Sequence, residues 1–94
     1  MKPFDKPVKI EIDGTLDLHT FSPKEIKSLI PGYLLECRKA GIKQVRIIHG
    51  KGKGVLRRSV HAVLARCELV DAFKTAGPDA GHWGATLVTL KQDF

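Results

Sequence analysis

Two short apolar runs, each ending in a histidine, flank a single helical pattern, and this arrangement leaves few ways to fold the first half of the chain. Val8, Ile10 and Ile12 alternate with Lys9, Glu11 and Asp13, and the same parity resumes at Leu16 and Leu18, which reads as one strand bent at Gly14. Ser22, Pro23 and Glu25 then supply an N-cap, a first-turn proline and a capping-box acid. Ile26, Leu29, Ile30, Tyr33, Leu34 and Cys37 follow at helical spacing. Pro31 removes one donor from that helix and predicts a kink, and Gly41 after Arg38 and Lys39 predicts a left-handed end. Gln44 to His49, with Val45, Ile47 and Ile48, suits a short buried strand. A strand–helix–strand unit within one sheet crosses over right-handed and leaves its strands parallel. The two carboxyl ends, Leu16-Asp17-Leu18-His19 and Ile47-Ile48-His49-Gly50, are therefore expected side by side.

A second helix is predicted from near Val55, with Leu56, Val60, Val63, Leu64 and Cys67 as its apolar stripe and Arg57, Arg58 and His61 nearer solvent. Leu69 to Ala76 reads as a third strand, residues 77 to 84 as a glycine-rich loop carrying Trp83, and Ala85 to Lys91 as a fourth strand. The order β-α-β-α-β-β describes an α/β fold of four strands and two helices. With 94 residues, 43% of them apolar, there is material for one modest core, so residues 8–94 form a single domain behind a loose arm of residues 1–7. Cys37 and Cys67 fall on apolar helix faces and read as small buried hydrophobes rather than metal ligands or a disulfide. No stretch reaches the apolar length of a membrane span, and the polar residues 1–7 lack the apolar region of a secretory signal. A cytoplasmic, monomeric protein with no membrane partner is the expectation.

Charge gives the first functional indication. Between Glu36 and Glu68 the chain carries nine Lys or Arg residues and no carboxylate, so that segment contributes +9 to a net charge of +6 and the rest sums to −3. In its middle lies His49-Gly50-Lys51-Gly52-Lys53-Gly54, between a strand and a helix. Glycines there let backbone N–H groups turn toward an anion, the following helix presents its positive dipole end, and the two lysines add point charges. The pattern is neither the dinucleotide G-x-G-x-x-G nor the P-loop G-x-x-x-x-G-K-[ST], which leaves a nucleotide-binding enzyme as the weaker reading. Concentrated basic charge fits a polyanion, DNA or RNA.

Parity places chemistry beside that loop. If Leu16 and Leu18 face the core, Asp17 and His19 share the opposite side, where an aspartate can orient an imidazole and hold its charge for acid–base work. Asp17, His19 and His49 are the catalytic candidates, and Gly50, Lys51, Gly52, Lys53, Gly54, Arg57 and Arg58 the candidate phosphate ligands. His61 and His82 are weaker candidates, and Trp83 and Phe21 are expected to cover the core. The competing reading is a non-catalytic DNA- or RNA-binding module in which Asp17 and His19 only satisfy a turn. No pair of carboxylates suggests a two-metal site, so neither a metal site nor a cofactor is expected. A histidine mechanism suits RNA, whose 2′-hydroxyl is an internal nucleophile; a divalent cation enters only if DNA is cut.

Leu16-Asp17-Leu18-His19, His49-Gly50-Lys51-Gly52 and Gly84-Ala85-Thr86-Leu87-Val88 together resemble the Smr (small MutS-related) domain family, with its LDLH motif, its T/H-G-x-G motif and a closing strand of this kind. The likeness covers residues 11 to 91 and rests on the order and spacing of the three segments. It implies a two-layer domain with a mixed sheet, like the C-terminal domain of translation initiation factor three. It further implies DNA or RNA binding and, in several members, endonuclease or nicking activity, in repair, recombination or ribosome quality control. By position, Asp17 and His19 match the first motif and His49, Gly50 and Gly52 the second, while Thr20 and Phe21 stand where many members continue with glycine. Members occur fused to MutS paralogues and as stand-alone small proteins, and this chain resembles the latter.

Overall fold

The computed structural model describes residues 11–50, 54–76 and 84–92. Val8 and Ile10 of the first expected strand, Lys51, Gly52 and Lys53 of the glycine loop, and His82 and Trp83 lie outside the described residues. The elements are β1 (Thr15–Asp17), α1 (Pro23–Lys39), β2 (Gln44–Ile48), α2 (Val55–Arg66), β3 (Val70–Thr75) and β4 (Ala85–Leu90). They build a four-stranded mixed sheet in the order β1-β2-β4-β3, with β1 and β2 parallel and the other neighbours antiparallel. This is the expected α+β two-layer arrangement of four strands and two helices.

The first strand is shorter than its alternation implied. Ile12 and Asp13 lie outside the sheet because the chain turns immediately after them: Gly14 adopts φ +91° and the Asp13 carboxylate accepts the Thr15 N–H at 3.0 Å. A period-two pattern of side chains cannot reveal such a local backbone bond. Beyond it the ladder with β2 is regular. Arg46 N donates to the Gly14 carbonyl and Leu18 N to the Ile48 carbonyl, each at 2.8 Å, on either side of the Leu16↔Ile47 pairing.

Both ends of α1 follow their sequence signals. The Glu25 carboxylate accepts the Ser22 backbone N–H at 2.7 Å, occupying the start of the helix with the chain's own anion. At the other end Gly41, at φ +82°, donates to Arg38 O and Ile42 donates to Cys37 O at 2.9 Å, a paired closure that needs the left-handed residue. Pro31 leaves the Lys27 carbonyl without its usual donor, yet the chain stays helical across it. β3 and β4 match the expected third and fourth strands to within a residue at either end, with Asp71 as an extra residue where the register skips between Val70 and Ala72.

Both helices pack on one face of the sheet. Ile26, Leu29, Ile30, Leu34 and Cys37 from α1 and Val60 and Leu64 from α2 bury against Leu16, Leu18, Val45, Ile47, Val88 and Leu90. Cys37 is fully buried, which pushes its thiol pKa up; Cys67 is half-buried against the same core, and both are free thiols. Among the described residues no helix is long and apolar enough to cross a membrane.

Tyr33 joins the two layers. Its ring is fully buried, its hydroxyl accepts the Gly14 N–H and donates to the Thr15 carbonyl, both at 3.1 Å, and burial raises its pKa. Tyr33→Phe keeps the packing but leaves a donor and an acceptor at the start of β1 without partners. That should cost about 1–2 kcal/mol and lower the thermal midpoint by several degrees. A melting curve identical to that of the parent would show that Gly14 and Thr15 are satisfied by other means.

Candidate functional site

The turn that follows β1 presents His19. Leu18 is fully buried and bonded to β2, and Phe21 N donates back to Leu18 O at 2.9 Å, closing a four-residue turn with His19 at its first corner. Asp17 faces away from the core, and its Oδ1 accepts both the His19 backbone N–H at 3.0 Å and the ring Nδ1 at 2.8 Å. Because a carboxylate only accepts, Nδ1 carries the proton, which leaves Nε2 as the basic nitrogen of the neutral ring. Among the described residues that Nε2 has no partner. The backbone N–H of His19, followed by its ring N–H, holds the Asp17 carboxyl below the usual carboxylate range. Side-chain exposures of 73% for His19 and 49% for Asp17 make the pair a weak stabiliser of the fold but open to a ligand.

His49 occupies a different environment. The parallel register ends on the pairing of Asp17 with Ile48, so the two histidines follow neighbouring strand ends, but the parity that buries Val45 and Ile47 also turns His49 inward. Only 4% of it is exposed. Its Nδ1 lies 3.0 Å from the Gly50 carbonyl and its Nε2 lies 2.9 Å from the Thr86 hydroxyl on β4; the Nε2 of His61, from α2, reaches the same hydroxyl at 2.8 Å. The His61 ring also packs on Phe73, with centroids 5.1 Å apart. The N–H groups of His49 and Gly50 both donate to Gly84 O at 2.9 Å. The Gly50 amide, expected from the sequence to be a phosphate ligand, is thus already committed within the protein. Its φ of +83° instead sets the direction in which the loop leaves.

The loop re-enters the described chain at Gly54, whose φ of +81° starts α2. Arg58 N closes the first helical bond to Gly54 O at 3.0 Å, and among the described residues nothing accepts the N–H groups of Val55, Leu56 and Arg57. In contrast to α1, the first turn of α2 contains no acid. Arg57, half-buried, and Arg58, exposed, stand at this end. The remaining basic residues of the long cationic segment are elsewhere. Arg38, Lys39 and Lys43 precede β2 at the opposite end of the sheet, where Arg38 Nε donates to Lys91 O at 3.2 Å, and Arg66 is in the last turn of α2. A groove of about 800 Å³ between the two helices, lined by Pro23, Lys24, Lys27, Val63, Arg66 and Leu69 among others, contains none of the residues singled out as catalytic or phosphate-binding.

Sequence reasoning missed Thr86 as a functional neighbour and placed His61 merely on a helix flank. The available signal was parity: Thr86 shares the inward face of β4 with Val88 and Leu90, and a hydroxyl there requires a polar partner.

Burial lowers the pKa of His49 and His61, and the positive charge of Arg57 lowers both further. Each imidazole is therefore held neutral in the fold, while the unfolded chain takes up protons first as the pH falls. Their stabilising effect is fully present above the unfolded value of about 6.5 and is lost as the pH drops toward the lower folded values. Urea unfolding should give a lower midpoint at about pH 5.5 than at about pH 7.5; equal midpoints would mean that the two rings are not held neutral.

With this geometry in place, the relationship to known proteins is direct. The sequence matches the Smr domain family over residues 16–91. It is 34% identical over 92 residues to the endonuclease MutS2 of Thermomicrobium roseum, covering 94% of this chain and 12% of that protein. It is 36% identical over 83 residues to the endonuclease MutS2 of Halothermothrix orenii, covering 88% and 10%. The chain thus spans only about a tenth of the length of these relatives. The crystal structure of the Smr domain of Thermus thermophilus MutS2 superposes with a TM-score of 0.79 at 33% identity, covering 84% of this chain and 99% of that one. YdaL, a stand-alone small MutS-related protein from Escherichia coli, superposes with a TM-score of 0.76 at 28% identity, covering 83% and 64%. Motifs, fold and match agree over the body of the domain: the chain belongs to the Smr domain family.

Proposed function

We propose that this domain binds nucleic acid where the carboxyl ends of β1 and β2 meet the start of α2, and cleaves a phosphodiester there with His19 as the reacting group. The observation that carries this reading is the exposed Asp17–His19 pair, with Nδ1 held by the carboxylate and Nε2 without a partner among the described residues. The endonuclease relatives support it.

The phosphate is held by the loop through Lys51, Gly52, Lys53 and Gly54, by the open N–H groups at the start of α2, and by Arg57 and Arg58. On RNA, His19 Nε2 takes the proton of a 2′-hydroxyl as that oxygen attacks the adjacent phosphorus, and the bond from phosphorus to the 5′-oxygen breaks. Asp17 steadies the imidazolium that forms, and the leaving oxygen takes a proton from the imidazolium or from water. His49 has both ring nitrogens engaged and only 4% of its surface exposed, so it holds Gly50 and β4 together rather than touching the reacting atoms. DNA lacks the internal nucleophile, and cutting it calls for an activated water, to which a divalent cation would contribute.

Highly purified protein, incubated with labelled RNA and with supercoiled DNA, with and without chelator, is the appropriate assay. His19→Ala should lower cleavage by about a hundredfold or more while binding stays within a few-fold. Asp17→Asn, which still accepts the Nδ1 proton but lacks the charge, should fall between that variant and the parent. Undiminished cleavage by His19→Ala would remove this residue from the chemistry, and absence of turnover by the parent would leave a binding module.

A further inference from the structure

The hydrogen bonds around Thr86 can be assigned in only one consistent direction for neutral rings. The Gly50 carbonyl can only accept, so His49 donates from Nδ1; its Nε2 must then accept, and the donor available there is the Thr86 hydroxyl. Having used its proton, Thr86 Oγ1 accepts from His61, whose Nε2 therefore carries hydrogen. The bonds run His61 to Thr86 to His49 to Gly50, with Thr86 fully buried and, among the described residues, no buried side-chain polar atom left without a partner. Gly50 is fixed on both sides, its N–H by the Gly84 carbonyl and its own carbonyl by His49.

This chain of bonds has a mechanical consequence for the anion site. Its two halves come from different elements: the loop leaves β2 at Gly50, whereas Arg57 and the N–H groups that no described residue takes belong to α2. His61 is four residues after Arg57 on α2, so it lies one turn along the same face. One hydroxyl on β4 thus ties the helix to the strand end from which the loop departs. Among the described residues the Gly50 carbonyl bonds the His49 ring, the Phe73 ring packs on His61, the two imidazoles stand edge to face, and the positive charge of Arg57 acts on both. A cation near the rings disfavours a second proton on either one, which keeps the bond direction intact.

We propose that Thr86 and His61 are positioning residues that set the spacing between the two halves of the phosphate site by locking His49 in one tautomer. The proposal rests on the binding reading above and extends it to two residues outside the Asp17–His19 and His49–Gly52 motifs. Neither residue touches the phosphate; both act through Gly50 and α2.

The test is the affinity of the full chain for a short fluorescein-labelled single-stranded RNA, measured by anisotropy, on two matched pairs of variants. His61→Leu removes the donor to Thr86, and His61→Gln restores an N–H at a similar reach. Thr86→Val removes the hydroxyl at constant shape, and Thr86→Ser restores it. Leu and Val should each weaken binding about tenfold, while Gln and Ser stay within about threefold of the parent. Long-range nitrogen–proton spectra of the parent should show His49 protonated at Nδ1 and His61 at Nε2. Because His61 is only half-buried, its pair decides the matter if Thr86→Val fails to fold. Binding by folded His61→Leu equal to that of the parent, equal weakening by Leu and Gln, or the opposite tautomers would overturn the proposal while leaving the phosphate site standing. A parent protein with no affinity for RNA or DNA would overturn the binding reading itself, and this proposal with it.

Discussion

The parallel pairing of β1 with β2 is the constraint on which the rest of this domain depends. A three-residue strand has little hold of its own; it is kept in place by Arg46 and Leu18 bonding across the ladder, by Tyr33 gripping the Gly14–Thr15 backbone, and by Leu16 and Leu18 entering the core. α1 is the crossover that makes this pairing parallel, and its capped ends fix where the two strands can lie. Once they are parallel, the last residues of both strands must share one edge, and the period of two decides what each presents. Leu18 and His49 go inward together, and His19 and Gly50 are left at the surface. A shift of the register by one residue would bury Asp17 and expose Leu18, removing the exposed pair and part of the core at once.

Electrostatics follow from that geometry rather than from the count of charges. The nine cations between Glu36 and Glu68 form one uninterrupted basic segment in sequence, but those among the described residues are scattered in space, because a strand and most of a helix separate them. Arg57 and Arg58 stand at the α2 start, whereas Arg38, Lys39 and Lys43 precede β2 at the far end of the sheet. The two helix starts also differ in kind. α1 is closed by its own Glu25, while α2 begins on a glycine, has no acid in its first turn and offers backbone donors that no described group takes. Of the two, only the first is closed by an acid among the described residues.

Much of this was legible in the residues themselves. The alternation through Leu16 and Leu18, the Ser22–Glu25 start, the Gly41 stop and the apolar stripe of α2 each encode local structure by local rules, and the structure agrees with them. The turn at Gly14 was not legible as a strand end, because it depends on the Asp13 carboxylate choosing the Thr15 amide over solvent. Nor was the partnership of Thr86 with His49 and His61, which requires the register of β2 against β4 and the placement of α2 over both. No spacing within one segment carries that information. The basic run misled in one respect, since nearness along the chain is not nearness in space once a strand intervenes.

The central claim is that one edge of the sheet, and not the whole basic segment, meets the nucleic acid. Amide and imidazole chemical shifts followed during titration with a short single-stranded RNA test it most directly. The account predicts that shifts concentrate at His19, Gly50, Gly54, Arg57 and Arg58, with Arg38, Lys39 and Lys43 unmoved. Shifts centred on those three residues, or on the groove lined by Lys24, Lys27 and Arg66, would contradict it.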